Sequence, residues 1–244
     1  MKIMTFNIRV DVEKDGKNSF KNRIEGIKEF LKKENPDIIG FQEIRPAMLN
    51  DLAKVLDNYF FVGEPRKELD EYNPIFFKKS LHLIENKTYW LSNSPEIKGS
   101  KHPNAYYPRI FTIVSLEKNN KYIQIINTHL SHISHLARID GLNQIKKFYL
   151  DRKEKHPLIL MGDFNAYPKE NVDEILSPIL TSCWSKFSED KLTFHDFTLK
   201  TKGEPIDYIW IDKVLDFDNV KIHRDGFRGN FLSDHYPISI IIKQ

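Results

Sequence analysis

The 244-residue sequence predicts an α/β fold in which two mixed β-sheets pack face to face with helices outside. Three observations carry this. Short apolar runs of strand character outnumber the amphipathic helical stretches. Several of these runs follow one another with no helix between them, which a single right-handed βαβ winding does not produce. Residues 158–161, Leu-Ile-Leu-Met, read as a strand buried on both faces.

In chain order, residues 3–8 form a first strand that delivers Asn7 and Arg9 at its far end. Residues 14–19, polar and containing Gly16, are expected as a loop. Residues 20–34 carry Phe20, Ile24, Ile27 and Leu31 on one helical stripe, and Asn35-Pro36 closes that helix. Residues 37–41 form a second buried strand running into Gln42-Glu43. Pro46 opens a helix carried by Met48, Leu49, Leu52, Val55 and Leu56. Strands are expected over 59–62, 74–77 and 81–91, with a charged loop at 63–73 that contains Glu71. Residues 92–108 form a long loop of the kind that often has a function. Residues 109–116 and 121–128 pair as a hairpin, followed by a helix over 134–152 and the central strand from Pro157. A loop and short helix occupy 168–176, and 181–204 is irregular. Strands at 206–211, 220–223 and 238–242 close the chain. No repeat or long linker divides it, so residues 1–244 are expected to form one domain.

Composition bounds the function classes. The chain is 40 % hydrophobic and 29 % charged, as globular domains are. A net charge of +3 permits a polyanionic partner without requiring one. The single cysteine, Cys183, excludes an internal disulfide framework and a multi-cysteine zinc site. No signal segment or membrane span is expected, the lysine-rich composition with one thiol suits a reducing cytoplasm, and a monomer is expected.

Asn7, Glu43, Glu71, His129, Asp163, Asp207 and Asp234 all lie at or near the ends of apolar runs. Strand ends on a rigid sheet are where catalytic groups are usually carried, so these residues are expected to share a rim. Asp163 and Asn165 follow the central strand after Gly162. A carboxylate and an amide two apart either bond their own backbone in an Asx turn or face one pocket together, the acid taking a proton and the amide holding the attacked group.

Six motifs then occur in a telling order: Thr5-Phe6-Asn7-Ile8-Arg9, Gln42-Glu43, Asn127-Thr128-His129-Leu130, Gly162-Asp163-Phe164-Asn165, Ile206-Asp207-Tyr208 and Ser233-Asp234-His235-Tyr236-Pro237. The chain resembles the exonuclease–endonuclease–phosphatase superfamily over residues 4–237. Each motif is weak in isolation, and the ordered set is specific. The resemblance implies the deoxyribonuclease I-like four-layer α/β sandwich, shared with abasic-site endonucleases, sphingomyelinases, inositol polyphosphate 5-phosphatases and deadenylases.

It also implies roles. Glu43, with Asn7 and Asp234, resembles the oxygen shell of a Mg²⁺ or Mn²⁺ ion. Asp163 resembles the base that deprotonates the attacking water, and Asn165 the residue beside it. His235 resembles the histidine that faces the phosphate, with Asp207 on its other ring nitrogen. His129, in the Asn-Thr-His-Leu form of deoxyribonuclease I, sphingomyelinases and phosphatases, is the candidate group at the leaving oxygen, and Glu71 falls where a glutamate pairs with it. Arg109 is placed to fork onto a phosphate or a site carboxylate. Arg9 and Arg45 either contact flanking phosphates or form structural ion pairs, and Tyr107 is a candidate pocket wall. His132, His135 and His195 are given no catalytic role.

The expected activity is metal-dependent hydrolysis of a phosphodiester or phosphomonoester by in-line attack of water. The substrate is either nucleic acid or a small phosphoester, and the chain resembles a compact bacterial branch of the superfamily without an assigned substrate. A basic stripe for nucleic acid would have to come from Arg9, Arg45, Lys78, Lys79 and Arg228, which form no dense cluster. The alternative is a non-catalytic module that binds phosphate ligands or proteins on the same fold, which would predict eroded metal or base positions. Loops 63–72, 92–108 and 225–233 are expected to decide specificity.

Overall fold

The structure, a computed structural model, describes residues 1–152 and 156–243. Twelve strands form two six-stranded mixed sheets. The first contains β1 (Lys2–Asn7), β2 (Ile38–Gln42), β3 (Tyr59–Val62), β4 (Ile75–Lys78), β11 (Phe217–Ile222) and β12 (Ile238–Ile242), in the order β11-β12-β1-β2-β4-β3. The second contains β5 (His82–Trp90), β6 (Ile110–Lys118), β7 (Lys121–His129), β8 (Leu158–Asp163), β9 (Leu180–Ser182) and β10 (Asp207–Asp212), in the order β5-β6-β7-β8-β10-β9. Only β1/β2 and β7/β8 pair in parallel among these neighbours.

Alternation along the first sheet builds two cores. Met4, Phe6, Ile39, Phe41 and Phe76 face α1 (Phe20–Glu34) and α2 (Pro46–Val55), meeting Phe20, Ile27, Leu31, Met48 and Leu52. Ile3, Ile38, Ile75 and Phe77 point the other way into the core shared with the second sheet. In the second sheet β8 and β10 are buried on both faces, and Leu142 and Ile145 of α3 (His135–Asp151) belong to the same apolar cluster. This is the four-layer α/β sandwich of the deoxyribonuclease I-like fold. The helix ends follow local chemistry. The Ser134 hydroxyl accepts from the Ala137 N–H to cap α3, Pro46 is the first residue of α2, and Asn35 takes a left-handed φ of 45° to end α1.

Three details depart from the sequence reading. Residues 13–18 wind as a 3-10 turn around Gly16 instead of an open loop. Leu180–Ser182 forms β9, a three-residue strand at the sheet edge followed by a 3-10 turn, within a region expected to be irregular. β11 begins at Phe217, because Phe217 is buried against the shared core although Asp218 and Asn219 break the apolar pattern. Among the described residues no helix is long and apolar enough to cross a membrane.

The two sheets are tied below one edge by polar groups. Gln42 Nε2 donates to Asn127 Oδ1 (2.6 Å), and Asn127 Nδ2 donates to the carbonyls of Phe41 (2.7 Å) and Pro74 (3.0 Å). Gly40 lets them meet, since a Cβ there would lie 2.8 Å from the Asn127 side chain.

Candidate active site

The last rungs of both sheets point to one edge. In the first sheet Asn7 pairs with Gln42, and Glu43 follows. In the second, His129 pairs with Asp163 and Asp163 with Asp207, so three functional side chains stand on adjacent strands in one row. Every site residue expected from the sequence except Asn7 and Asp207 lines a single cleft of about 810 Å³. Those two lie behind its wall, bonded to residues that do line it.

Asp163 is the hub. Its Oδ1 accepts the Asn165 N–H at 2.9 Å, so the Asx turn exists. Its Oδ2 faces the cleft, accepting from Asn7 Nδ2 at 2.9 Å and lying 3.6 Å from His129 Nε2 and 3.8 Å from His235 Nε2. Asp163 thus makes the Asx turn with one oxygen and presents the other to the cleft that Asn165 also lines. Burial and the neighbouring Asp207 carboxylate push Asp163 up to about 7, against the pull of His235, Asn7 and the Asn165 N–H.

His235 stands between two carboxylates. Nδ1 is 2.8 Å from Asp207 Oδ2, and Nε2 is turned toward Asp163. Burial opposes its charge, but Asp207, Asp163 and Asp234 outweigh burial and raise it to about 10. It is a fixed imidazolium at neutral pH, with Phe194 packed against its ring at 4.9 Å. His129 is the opposite case. Burial together with the positive charges of Arg109 and Arg66 holds it neutral, and its Nδ1 has no hydrogen-bond partner among the described residues.

At the Glu43 end, burial works against the carboxylate, yet the Val10 N–H (2.9 Å), the Asn7 amide (3.1 Å), His235 and Arg9 bring it below its ordinary value. Asp234 lies close by, raised by burial and by Glu43 against the pull of His235 and Arg9. Arg9, Glu43 and Asn165 all have positive φ (60°, 65° and 49°). Non-glycine residues in this region are uncommon, and a cluster of them at one cleft marks a site where backbone strain is tolerated for function.

Some expectations need correction. Glu71 does not pair with His129. Its oxygens are taken by Arg66 at 3.0 and 3.1 Å, and burial raises it above the ordinary glutamate range. Arg9 is not free for flanking phosphates, because it bonds Asp15 through Nε (2.9 Å) and Nη2 (3.1 Å) and lies 3.7 Å from Asp234. Arg45 is exposed on the cleft wall, and Arg109 donates to Nδ1 of His132 at 2.8 Å. Tyr107 covers the Arg66 guanidinium at 4.6 Å. Of the three loops, 225–233 contributes least, since Phe227 packs on α1 at Gly26.

Sequence reasoning passed over Arg66, Phe194, Trp184 and Arg23. Arg66 sits in a charged loop and carried no motif. Trp184 Nε1 donates to the Asp207 carbonyl (3.2 Å), and Thr193 Oγ1 accepts the Ile206 and Asp207 N–H groups, so both brace the residue behind His235. Arg23 of α1 donates to the carbonyls of Ile8, Arg9, Asn18 and Leu232, stitching the loop after Asn7 to the loop before Asp234.

Residues 4–235 match the model of the Endonuclease/Exonuclease/phosphatase family. The chain belongs to that family. A mannosyl-6-phosphatase of Bacteroides thetaiotaomicron VPI-5482 superposes with a TM-score of 0.94 at 23 % identity, covering 100 % of both chains. A functionally unknown conserved protein of Enterococcus faecalis V583 is 29 % identical, with a TM-score of 0.93 over 100 % of this chain and 99 % of its own. TDP2 of D. rerio complexed with single strand DNA product reaches 0.82 at 17 % identity, over 100 % and 99 %. No curated protein matches the chain. Endonucleases, exonucleases and phosphatases all hydrolyse phosphoesters, and phosphoester hydrolysis is the general activity of this family member.

Two donor sets test where a divalent ion fits. Asp163, Asp207 and His235 place ligand atoms within 4.8 Å of one another, but Nδ1 of His235 is already bonded to Asp207 Oδ2 at 2.8 Å and its Nε2 is turned to Asp163. Glu43, Asn7 and Asp234 offer only oxygen ligands, one of them a carboxylate held ionised at the cleft wall. Hard oxygen donors with room for water suit Mg²⁺ or Mn²⁺. The residues fit the ion at the Glu43 end.

Proposed function

We propose that this protein is a Mg²⁺- or Mn²⁺-dependent phosphomonoesterase of a small phosphorylated substrate. One observation carries the reading: a carboxylate poised near neutrality, Asp163, shares a cleft with a permanently charged imidazole, His235, and an ionised glutamate, Glu43. The chemistry follows from protonation states. Asp163 accepts the proton of the attacking water, and Asn165 lies beside it to hold that water or a phosphoryl oxygen. His235 donates to the phosphoryl oxygens as their charge builds, while Asp207 keeps its ring oriented. His129, neutral and 3.6 Å from Asp163, donates a hydrogen bond to the oxygen that leaves, which takes its proton from solvent. Glu43, Asn7 and Asp234 would hold the divalent ion, which supplies charge neutralisation at phosphorus.

The choice of a small monoester has two supports. The mannosyl-6-phosphatase likeness extends over the whole of both chains. In addition, the six cations of the cleft (Arg9, Lys14, Arg45, Arg66, Lys67, Arg109) face seven carboxylates, which leaves no basic track for a polynucleotide. All groups come from one chain, so a monomer suffices.

Phosphate release from p-nitrophenyl phosphate and from bis(p-nitrophenyl) phosphate tests the reading. Turnover is expected with Mg²⁺ or Mn²⁺, faster on the monoester, abolished by EDTA and reduced about 10²–10⁴-fold in Asp163→Asn. Equal rates for wild type and Asp163→Asn on both compounds would sink it.

A further inference from the structure

A second cavity, of about 510 Å³, opens at the β9 edge of the second sheet, and none of its lining residues lines the catalytic cleft. It lies between α4 (Asp173–Leu176) with Ser177 on one side and β9 with the turn after it on the other. Its size falls in the range of roughly 300–1,000 Å³ that small-molecule sites occupy. The interior is apolar, built from the buried side chains of Leu180, Trp184, Pro205 and Trp210. The charge is at the mouth. Lys191 Nζ donates to the Trp184 carbonyl at 3.1 Å, and the exposed Lys213 donates to the Pro178 carbonyl at 3.0 Å. Asp173 is the one carboxylate lining the cavity, and burial raises it above the ordinary aspartate range against the pull of Lys191. Two lysines facing one weakened carboxylate favour an anionic guest.

The tryptophans show what the guest must also bring. Trp90 Nε1 donates to the Arg66 carbonyl at 2.7 Å, and Trp184 Nε1 to the Asp207 carbonyl at 3.2 Å. Trp210 is 1 % exposed, yet its Nε1 has no acceptor among the described residues. Buried indole N–H groups normally find one. Trp210 lines the cavity, so a guest with an oxygen at its inner end supplies the acceptor that the fold does not.

We infer that this cavity binds a small aromatic carboxylate bearing a second oxygen at the far end of its ring, and that the bound guest acts on the catalytic cleft through Trp184. The ring packs among the two indoles, Leu180 and Pro205. The carboxylate meets Lys191 and Lys213, and the second oxygen accepts from Trp210. The route to the cleft is short. Trp184 forms a wall of the cavity and holds the carbonyl of Asp207, whose carboxylate orients His235 at 2.8 Å. Asp207 precedes Trp210 by three residues on β10, about 10 Å along the strand.

Titration of 4-hydroxybenzoate into the metal-free protein, followed by the indole N–H signals in a nitrogen–proton correlation spectrum, tests the site without any turnover. Single Trp→Phe variants at 90, 184 and 210 assign the signals. Those of Trp210 and Trp184 are expected to move together with a roughly millimolar Kd, as suits a ligand of about ten heavy atoms, while that of Trp90 stays. 4-Hydroxybenzamide, which lacks the charge, is expected to bind about 10-fold more weakly, and the double variant Lys191→Met, Lys213→Met to lose the same margin. Benzoate, which lacks the hydroxyl, should leave the Trp210 signal nearly in place. A Trp210 signal unmoved at ~20 mM 4-hydroxybenzoate, or moving only in step with that of Trp90, overturns the site. Equal binding of acid and amide overturns the anionic guest.

Turnover of p-nitrophenyl phosphate reads the coupling, and only this part rests on the hydrolase reading. Saturating 4-hydroxybenzoate is expected to lower kcat at least about twofold with KM unchanged, and to have no effect on the double lysine variant, whose basal rate matches wild type. An unchanged kcat overturns the coupling. Should wild type hydrolyse no phosphate ester, the hydrolase reading falls, and the His235 ring signals decide the coupling instead: they shift along with Trp184 if it exists and stay if it does not.

Discussion

Asp163 is held in the fold at a cost, and the cost is measurable. Its folded value near 7 lies above its ordinary 3.8, so at pH 8 the unfolded chain releases the proton more readily than the native one, and ionised Asp163 destabilises the native state. Asp163→Asn, nearly isosteric and neutral, is therefore expected to raise the Tm of the metal-free protein by a few degrees at pH 8, roughly 1–2 kcal/mol, while kcat falls. Paired melting curves in EDTA check this, and an unchanged or lower Tm would contradict it. His235 has the same sign in a higher window. Its folded value near 10 exceeds its ordinary 6.5, so the native state binds the extra proton. Its contribution is complete below about 6.5 and is lost as pH rises toward 10. Metal-free wild type is expected to lose Tm steadily from pH 7 to pH 10, and His235→Gln to show a shallower slope over that range.

At the scale of elements, strand ends and the segments that brace them decide the geometry. Gly162 has a φ of 146°, and a Cβ there would lie 1.9 Å from the Thr128 carbonyl. Gly162→Ala must therefore part β7 from β8 on the rung next to His129 and Asp163. It should cost about 3–5 kcal/mol, close to a 10 °C fall in Tm for a chain of this length, with activity lost even well below the transition. The other bracing element is α1, through the four carbonyls held by Arg23. Arg23→Met leaves buried carbonyls unpartnered and frees the loops carrying Asn7 and Asp234. Stability is expected to fall by about 2–4 kcal/mol, and the Mg²⁺ concentration for half-maximal activity to rise several-fold while pre-steady-state kcat at saturating Mg²⁺ changes less. The strands and main helices were readable because their apolar periods agree with their burial. β9 was not, since three residues give no period, and neither was the 3-10 turn around Gly16, whose residues are all partly or fully exposed. Arg23 was hidden for a related reason: in sequence it is one more charged residue on an amphipathic helix, and only the fold shows that it points inward.

Across the whole molecule, the site is a junction between two sheets that the chain builds separately. The motif residues were legible because each ends an apolar run. Their partners were not, since pairing depends on which sheet edge meets which. Glu71 shows the limit: its sequence position suggested His129, but Arg66, from the same loop, reaches it first. What aligns the halves is the buried link from Gln42 to Asn127, immediately before Glu43 on one strand and two residues before His129 on the other. Replacing either partner strands polar groups in the core. Gln42→Leu and Asn127→Leu should each cost about 2–3 kcal/mol. The double variant removes both ends of one bond and should recover part of that loss, a coupling of about 1–2 kcal/mol in a denaturant-melt cycle. Activity should not follow stability. With the link gone, Glu43 and His129 are no longer held in register, so the double variant should be more stable than Asn127→Leu yet no more active. If kcat recovers with stability, the Gln42–Asn127 bond serves the core only, and the alignment of the two half-sites has to come from the buried Asn7–Asp163 bond that joins the two sheets behind the cleft wall.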